Sequence, residues 1–320
     1  MPAGVSWKYY SAYTSPADAG IWTAPNSIYN ICLPTGTVGI AVTCSNPNYS
    51  KEVFSPQYAS GGQGGSDQAQ ILKDIEDPTC ASLQQLSFVT PDGRWSDHPG
   101  CPINGCNSNN ESGEDGGPSY VAAIVNAAGN NTTCNYWNST IILITLDDWG
   151  GFYDHVSPAA SAGGPGTTGY PNGTGQPYVY GFRVPLLVVS KYVKSNTSLG
   201  GYISGGSTPN CSNGGPYCHD FGSILGFIKQ VFSLGYIGST SYPYADYFAP
   251  DQYASHIGGP CTATTCPFPL ADFFSANASR TFVPITSAKY LEKCFHYPNQ
   301  TGCLPSTNAS SPDNDDTDEQ

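Results

Sequence analysis

The chain has 320 residues, enough for one large domain or two small ones with a substantial core. Only 11% of them are charged, and the net charge of −13 opposes binding to nucleic acid or to an anionic membrane surface, because a polyanion is repelled rather than steered in. No apolar run approaches the ~20 residues that cross a bilayer, so no transmembrane segment is expected within the sequence. Residues 8–66 are rich in aromatic and turn residues and end in GGQGGS, which reads as irregular structure with one or two short elements. Asp67 to Asp77 (DQAQILKDIED) places Ile71, Leu72 and Ile75 at helical spacing and predicts a short amphipathic helix. Leu86 to Thr90 (LSFVT) reads as a strand that Pro91 stops, and Ser119 to Ala128 as a helix opened by Pro118 and closed by Gly129. The apolar run Ile141, Ile142, Leu143, Ile144 and Leu146 predicts a strand buried on both faces. Gly163 to Gln176 reads as a mobile loop, Val184 to Ser190 as another buried strand, and residues 220–234 as the clearest amphipathic helix. After Tyr242 the pattern weakens, and the acidic Pro312 to Gln320 reads as a disordered tail. Strands alternating with helices predict an α/β domain around a mostly parallel sheet flanked by helices.

Twelve cysteines, an even number, sit among Gly, Asn, Pro and Ser. This suits loop-rich insertions stapled by disulfides in an oxidising compartment, with the close pairs Cys101 and Cys106, Cys211 and Cys218, Cys261 and Cys266, and Cys294 and Cys303 as the preferred bridges. Structural zinc is the rival reading, but no CxxC occurs. Many Asn-x-Ser/Thr sequons occur, among them Asn48, Asn110, Asn130, Asn138, Asn172, Asn196 and Asn277, a weak pointer to export in so polar a sequence. The first residues, MPAGVSWKYYSAYTS, have neither a basic start nor an apolar stretch and do not read as a signal peptide.

The chemistry concentrates where the strand ending at Leu146 meets Asp147, Asp148 and the glycine turn Gly150–Gly151. Open α/β sheets bind ligands at the carboxyl ends of their strands, and two adjacent carboxylates repel each other until a hard divalent cation relieves them. The competing reading is that both aspartates cap the turn. His98 follows the LSFVT strand in WSDHPG, and its neighbour Asp97 could orient the ring. Asp154 and His155 follow the turn, where His155 could fix a carboxylate from outside the ligand set. Arg183 suits either a phosphate or a structural salt bridge, and His219 suits a helix cap as well as catalysis. No serine or threonine lies in a motif that would activate it as a nucleophile.

The run DDWGGFYDHVSP resembles the signature of the phosphoesterase family that contains bacterial phospholipases C and acid phosphatases, within the alkaline-phosphatase-like superfamily. Five further blocks match in order: GVSWKYYS at Gly4, LQQLSFVTPDGRWSDHP at Leu83, YGFRVPLLVVSKYVK at Tyr180, HDFGSILGFIKQVFSL at His219 and LADFFSANASRTFVPI at Leu270. They span residues 4 to about 295, which sets the expected phosphoesterase domain at 1–295 and leaves 296–320 as loop and acidic tail. The resemblance implies an alkaline-phosphatase-like fold and metal-assisted phosphoryl transfer on a small-molecule or lipid phosphoester. It implies a divalent metal on Asp147 and Asp148, and catalytic contacts from His98 and His155. It is to the C-terminal half of the family pattern only, since no Glu-Asn metal pair or nucleophile motif precedes GVSW. The fold is therefore expected to be incomplete at the N-terminus, its nucleophile supplied upstream, and the protein secreted or periplasmic. The alternative from another class is a noncatalytic binding or surface module derived from a truncated phosphoesterase.

Overall fold

The computed structural model describes residues 4–10, 24–35, 43–47, 53–54, 70–91, 116–150, 153–154, 182–195, 201–203, 219, 221–234, 238–239, 242–243, 270, 273–288 and 290–296. They fall into two units, Val5–Ser139 with Phe282–Gln320, and Thr140–Thr281 with Met1–Gly4.

In the first unit, β1 (Trp7–Tyr10) is the middle strand of a small parallel sheet between β4 (Val53–Phe54) and β5 (Leu86–Val89). Its register pairs Trp7 with Leu86 and Tyr10 with Val89, while Tyr9 faces Val53 on the other side. A short helix, α1 (Tyr29–Cys32), leads into the antiparallel pair β2 (Pro34–Thr35) and β3 (Thr43–Cys44), which the Cys32–Cys44 disulfide closes.

The amphipathic helix expected from the Ile71, Leu72, Ile75 spacing is α2 (Gln70–Glu76), and all three side chains are buried. At about 2 kcal/mol for each fully buried aliphatic side chain, that face accounts for the helix, which is too short to be stable alone. It packs on α3 (Gly116–Asn130), whose buried face is mostly small: Ala122, Ala123, Val125, Ala127 and Ala128 with Tyr120. Pro118 falls in the first turn, where a missing N–H is harmless. Gly129 does not end the helix, as the sequence suggested, because it serves a packing purpose. A Cβ there would collide with the ring of Phe282, which lies against the helix and 5.0 Å from the Trp137 ring.

Polar groups lock this unit as specifically as its apolar ones. The buried Asp74 carboxylate accepts from Lys8 Nζ, Tyr10 OH and Gln70 Nε2, each at 2.6 Å, and so ties α2 to the middle strand. Burial, and then the bond to Asp74, push the Tyr10 phenol far above its ordinary range. Asp77 accepts from the backbone and hydroxyl of both Thr79 and Ser82, and these bonds hold its carboxyl well below the usual carboxylate range. The Cys80–Cys134 disulfide joins this loop to the end of α3 across 54 residues of sequence. Asn131 then donates to the carbonyl of Ile75 at 2.7 Å and accepts from Cys134 N at 2.8 Å. Further along, Asn126 brackets the backbone of Ile285, donating at 2.9 Å and accepting at 2.8 Å. The segment after it returns Phe295 to the Tyr120 ring, 5.2 Å between centroids, with Cys294 and Phe295 buried.

The second unit holds β6 (Ile142–Thr145), β7 (Leu186–Val189) and α4 (Phe221–Val231). β6 and β7 pair antiparallel, Ile142 with Val189 and Thr145 with Leu186. Among the described residues, the parallel pairing expected from the sequence is thus confined to the three strands of the first unit. The strands also differ from the expected burial on both faces: Ile141, Leu143, Leu186 and Val188 pack toward a core of Phe227, Leu270 and Phe273, while Leu187 is 57% exposed. An antiparallel pair alternates its side chains, so an all-apolar run still turns every second residue away from the core. α4 approaches closely because Gly222, Ser223 and Gly226 face inward beside Phe227. A hairpin of β8 (Gly238–Ser239) and β9 (Tyr242–Pro243) completes the described strands.

The Cys32–Cys44 and Cys80–Cys134 disulfides use the four cysteines outside the close pairs preferred from spacing, so they leave those pairs untested. Cys294 is disulfide-bonded, and Cys101, Cys106, Cys211, Cys218, Cys261, Cys266 and Cys303 lie outside the described residues. So do the Gly163–Gln176 segment and the acidic tail.

Two outcomes are expected. Asp74→Ala leaves Lys8 and Tyr10 without their buried acceptor and should cost about 3 kcal/mol in the denaturant unfolding free energy, more than Asp74→Asn. Glu292 is pushed up to about 7 from an ordinary value near 4.5, first by burial and then by its bond to Glu76 at the end of α2. A raised carboxyl holds its proton in the folded state, so this contribution is full below pH 4.5 and is lost as the pH rises through about 7. Glu292→Gln should flatten the fall in thermal midpoint across that window.

Candidate functional site

β6 delivers the chain to its edge at Thr145, whose hydroxyl donates to the carbonyl of Pro185 at 2.9 Å and so anchors the strand end to the start of β7. Leu146, Asp147, Asp148 and Trp149 follow as an exposed turn. Asp148 N donates to Asp147 Oδ1 at 3.2 Å, and Gly150 N donates to Asp148 Oδ1 at 2.5 Å. Gly150 takes φ +65°, the left-handed conformation that glycine adopts without steric cost. One oxygen of each carboxylate therefore shapes the turn. The second oxygen of each accepts no hydrogen bond from the described residues.

Just after the turn, Asp154 pairs with Arg183. Arg183 Nε and Nη2 donate to the two carboxylate oxygens of Asp154 at 2.7 and 2.9 Å, a bidentate pair. The Asp154 carboxylate raises the guanidinium above its ordinary range, so the charge is permanent. Of the two roles open to Arg183 in the sequence, the structure shows the salt bridge. Above this clamp, the Phe182 ring meets Trp149 and Tyr153 edge to face, at centroid distances of 5.8 and 5.9 Å. Aromatic edges of this kind add about 0.5–1.5 kcal/mol to area burial. Trp149 and Tyr153 nonetheless stay 42% and 84% exposed.

Asp147 and Asp148 are thus brought together on one exposed strand end, as the sequence suggested. His98, Asp97, His155 and Gly151 lie outside the described residues. His219 stands beside the Phe273 ring at 5.3 Å. Among the described residues, no three His, Cys, Asp or Glu side chains gather as a metal-binding group. The pairing of Asp154 with Arg183 across 29 residues of sequence was not legible, since neither residue carries a local signal for the other.

The sequence profile of the phosphoesterase family matches residues 2–235. The chain belongs to the phosphoesterase family. It is similar to the non-hemolytic phospholipase C of Burkholderia pseudomallei, 29% identical over 251 residues, covering 73% of this chain and 31% of that protein. It is also similar to the non-specific phospholipase C6 of Arabidopsis thaliana, 30% identical over 205 residues, with 63% of this chain and 36% of the relative covered. With phospholipase C A of Mycobacterium tuberculosis (strain H37Rv), identity is 31% over 122 residues, 34% of this chain and 21% of that one. The matched stretches thus span about a third or less of these phosphoesterase relatives' length.

The Asp154–Arg183 clamp is a local device. Arg183→Ala should speed hydrogen exchange at the amides of Trp149, Gly150, Tyr153, Asp154 and Phe182 while lowering global stability by less than about 1 kcal/mol, because the Arg183 side chain is 56% exposed. Exchange that stays unchanged there would show that the aromatic contacts alone hold the turn.

Proposed function

We propose that this chain carries the Asp147–Asp148 carboxylates of a phosphoester hydrolase of the phospholipase C and acid phosphatase type. The observation that supports it is the coincidence of family membership with two adjacent carboxylates at an exposed strand end, each keeping an oxygen that no described donor occupies. Relatives named as phospholipases C favour a phosphodiester lipid as substrate, and the related acid phosphatase chemistry makes small phosphomonoesters the second class to test.

A divalent cation fits these residues as far as they go. The two remaining oxygens are hard donors of the kind such ions take, and they serve as two of its ligands, further donors coming from outside the described residues. A cation held there supplies positive charge to the phosphoryl oxygens. Asp148 is fixed for this task by Gly150, and Asp147 by the amide of Asp148. His98 acts as donor to a phosphoryl or leaving oxygen, and His155, directly after the clamped Asp154, fixes a carboxylate from behind. The protein needs no general electrostatic attraction to its substrate, since a net charge of −13 would repel a polyanionic surface while a single headgroup can still enter a polar pocket. No helix among the described residues is long and apolar enough to cross a membrane. The disulfides support a secreted or periplasmic setting, because such bonds persist in oxidising compartments.

The test is hydrolysis of a panel of phosphate diesters and monoesters, with and without a chelator, by the wild type and by Asp148→Ala. Metal-dependent turnover that falls by on the order of 10²-fold in the variant is the expected result. Metal binding by calorimetry with no turnover on any ester would assign the noncatalytic binding module instead.

A further inference from the structure

Among the described residues, four sequons fall in well-defined places, and the fold treats their side-chain amides differently. Asn130 and Asn131 head overlapping sequons, Asn130-Asn131-Thr132 and Asn131-Thr132-Thr133. Asn130, the last residue of α3, is exposed, and its amide makes no hydrogen bond among the described residues. Asn131 is half-buried, and both ends of its amide are in use: Nδ2 donates to the carbonyl of Ile75 and Oδ1 accepts from Cys134 N. Asn138 is also half-buried, with Nδ2 donating to Asn135 Oδ1 at 2.5 Å. Asn277, in the Asn277-Ala278-Ser279 sequon, is exposed, and only its backbone N is engaged, by Ser275 Oγ at 3.3 Å.

We propose that Asn130 and Asn277 are N-glycan acceptors when this chain passes through a eukaryotic secretory pathway, and that Asn131 and Asn138 are not. The reaction joins Asn Nδ2 to the anomeric carbon of a lipid-pyrophosphate-linked oligosaccharide. The carbon–oxygen bond to the pyrophosphate breaks, the lipid pyrophosphate leaves with that electron pair, and Nδ2 gives up one proton. The product amide carries a bulky sugar, so it must face solvent in the folded protein.

The discrimination follows from what each amide does after folding. Transfer to a nascent chain precedes closure of the Cys80–Cys134 loop, so both neighbours are chemically eligible at that moment. A sugar on Asn131 would stand where Ile75 and Cys134 must come to rest, beside the half of the loop that the disulfide has to close. Such chains fail to reach the folded, disulfide-bonded state. A sugar on Asn130 projects from the helix end, on the residue after the Gly129 that lies under Phe282, and leaves every one of these bonds in place. Asn138 engages Asn135 through its Nδ2 within its own turn, while the Asn277 side-chain amide makes no such bond among the described residues, so a sugar breaks a folded contact at 138 and none of those described at 277.

The overlapping sequons provide their own test. The full chain is secreted from yeast behind a cleavable leader, treated with peptide-N-glycosidase in heavy-oxygen water, and mapped by mass spectrometry. Labelled aspartate at 130 and 277, with unlabelled 131 and 138, is expected. Thr133→Ala removes only the Asn131 sequon and should leave the electrophoretic mobility unchanged. Thr132→Ala removes only the Asn130 sequon and should lose one glycan without transferring it to Asn131; both threonines are exposed, so neither change threatens folding. A glycan on Asn131 or Asn138 in secreted, folded protein would overturn the proposal, as would Asn130 and Asn277 both bare in a chain glycosylated at its other sequons.

Discussion

The buried Asp74 carboxylate is the interaction on which the first unit turns. It receives a cation from Lys8, a phenol from Tyr10 and an amide from Gln70, so one side chain of α2 satisfies donors from the middle strand and from its own helix. A buried carboxylate is expensive unless it is paired and fully hydrogen-bonded, and here both conditions are met. That requirement fixes the rotation of α2: Asp74 must face β1, which leaves Ile71, Leu72 and Ile75 to pack around it. The small residues of α3 then allow the two helices to approach.

The loop below α2 extends this lock by polar means. Asp77 gathers the amides and hydroxyls of Thr79 and Ser82, the disulfide joins Cys80 to Cys134, and Asn131 reaches back to the end of α2. Loop closure by a bond spanning 54 residues removes about 4 kcal/mol of chain entropy from the unfolded state. Such staples supplement a unit whose parallel sheet, among the described residues, has only three short strands.

In the second unit the constraint is different. The β6–β7 pair packs alternate residues on Phe227, Leu270 and Phe273, and an exposed turn of two carboxylates follows β6. Thr145 and Gly150 hold that turn without using all the carboxylate oxygens, and the Asp154–Arg183 pair ties down the chain just after it. In the proposed site the carboxylates sit on the loop, and their placement comes from the strands beneath it.

The sequence by itself determined the elements that rest on local pattern: the Ile71, Leu72, Ile75 helix face, the strands at 86–89, 142–145 and 186–189, and the amphipathic helix at 221–231. It also located Asp147 and Asp148 together, because adjacency in sequence guarantees it, and the signature around them carried the family. Only the tertiary structure decided what depends on distant partners. Antiparallel rather than parallel pairing of β6 and β7 is set by the register of residues more than 40 positions apart, which an all-apolar run does not encode. The Cys80–Cys134 bridge could not be read from spacing, because it is the packing of α2 on α3 that brings these distant cysteines within bonding reach. The Asp154–Arg183 clamp and the Asp74 network were equally silent in the sequence, since a charge announces its partner only when the fold brings the two together.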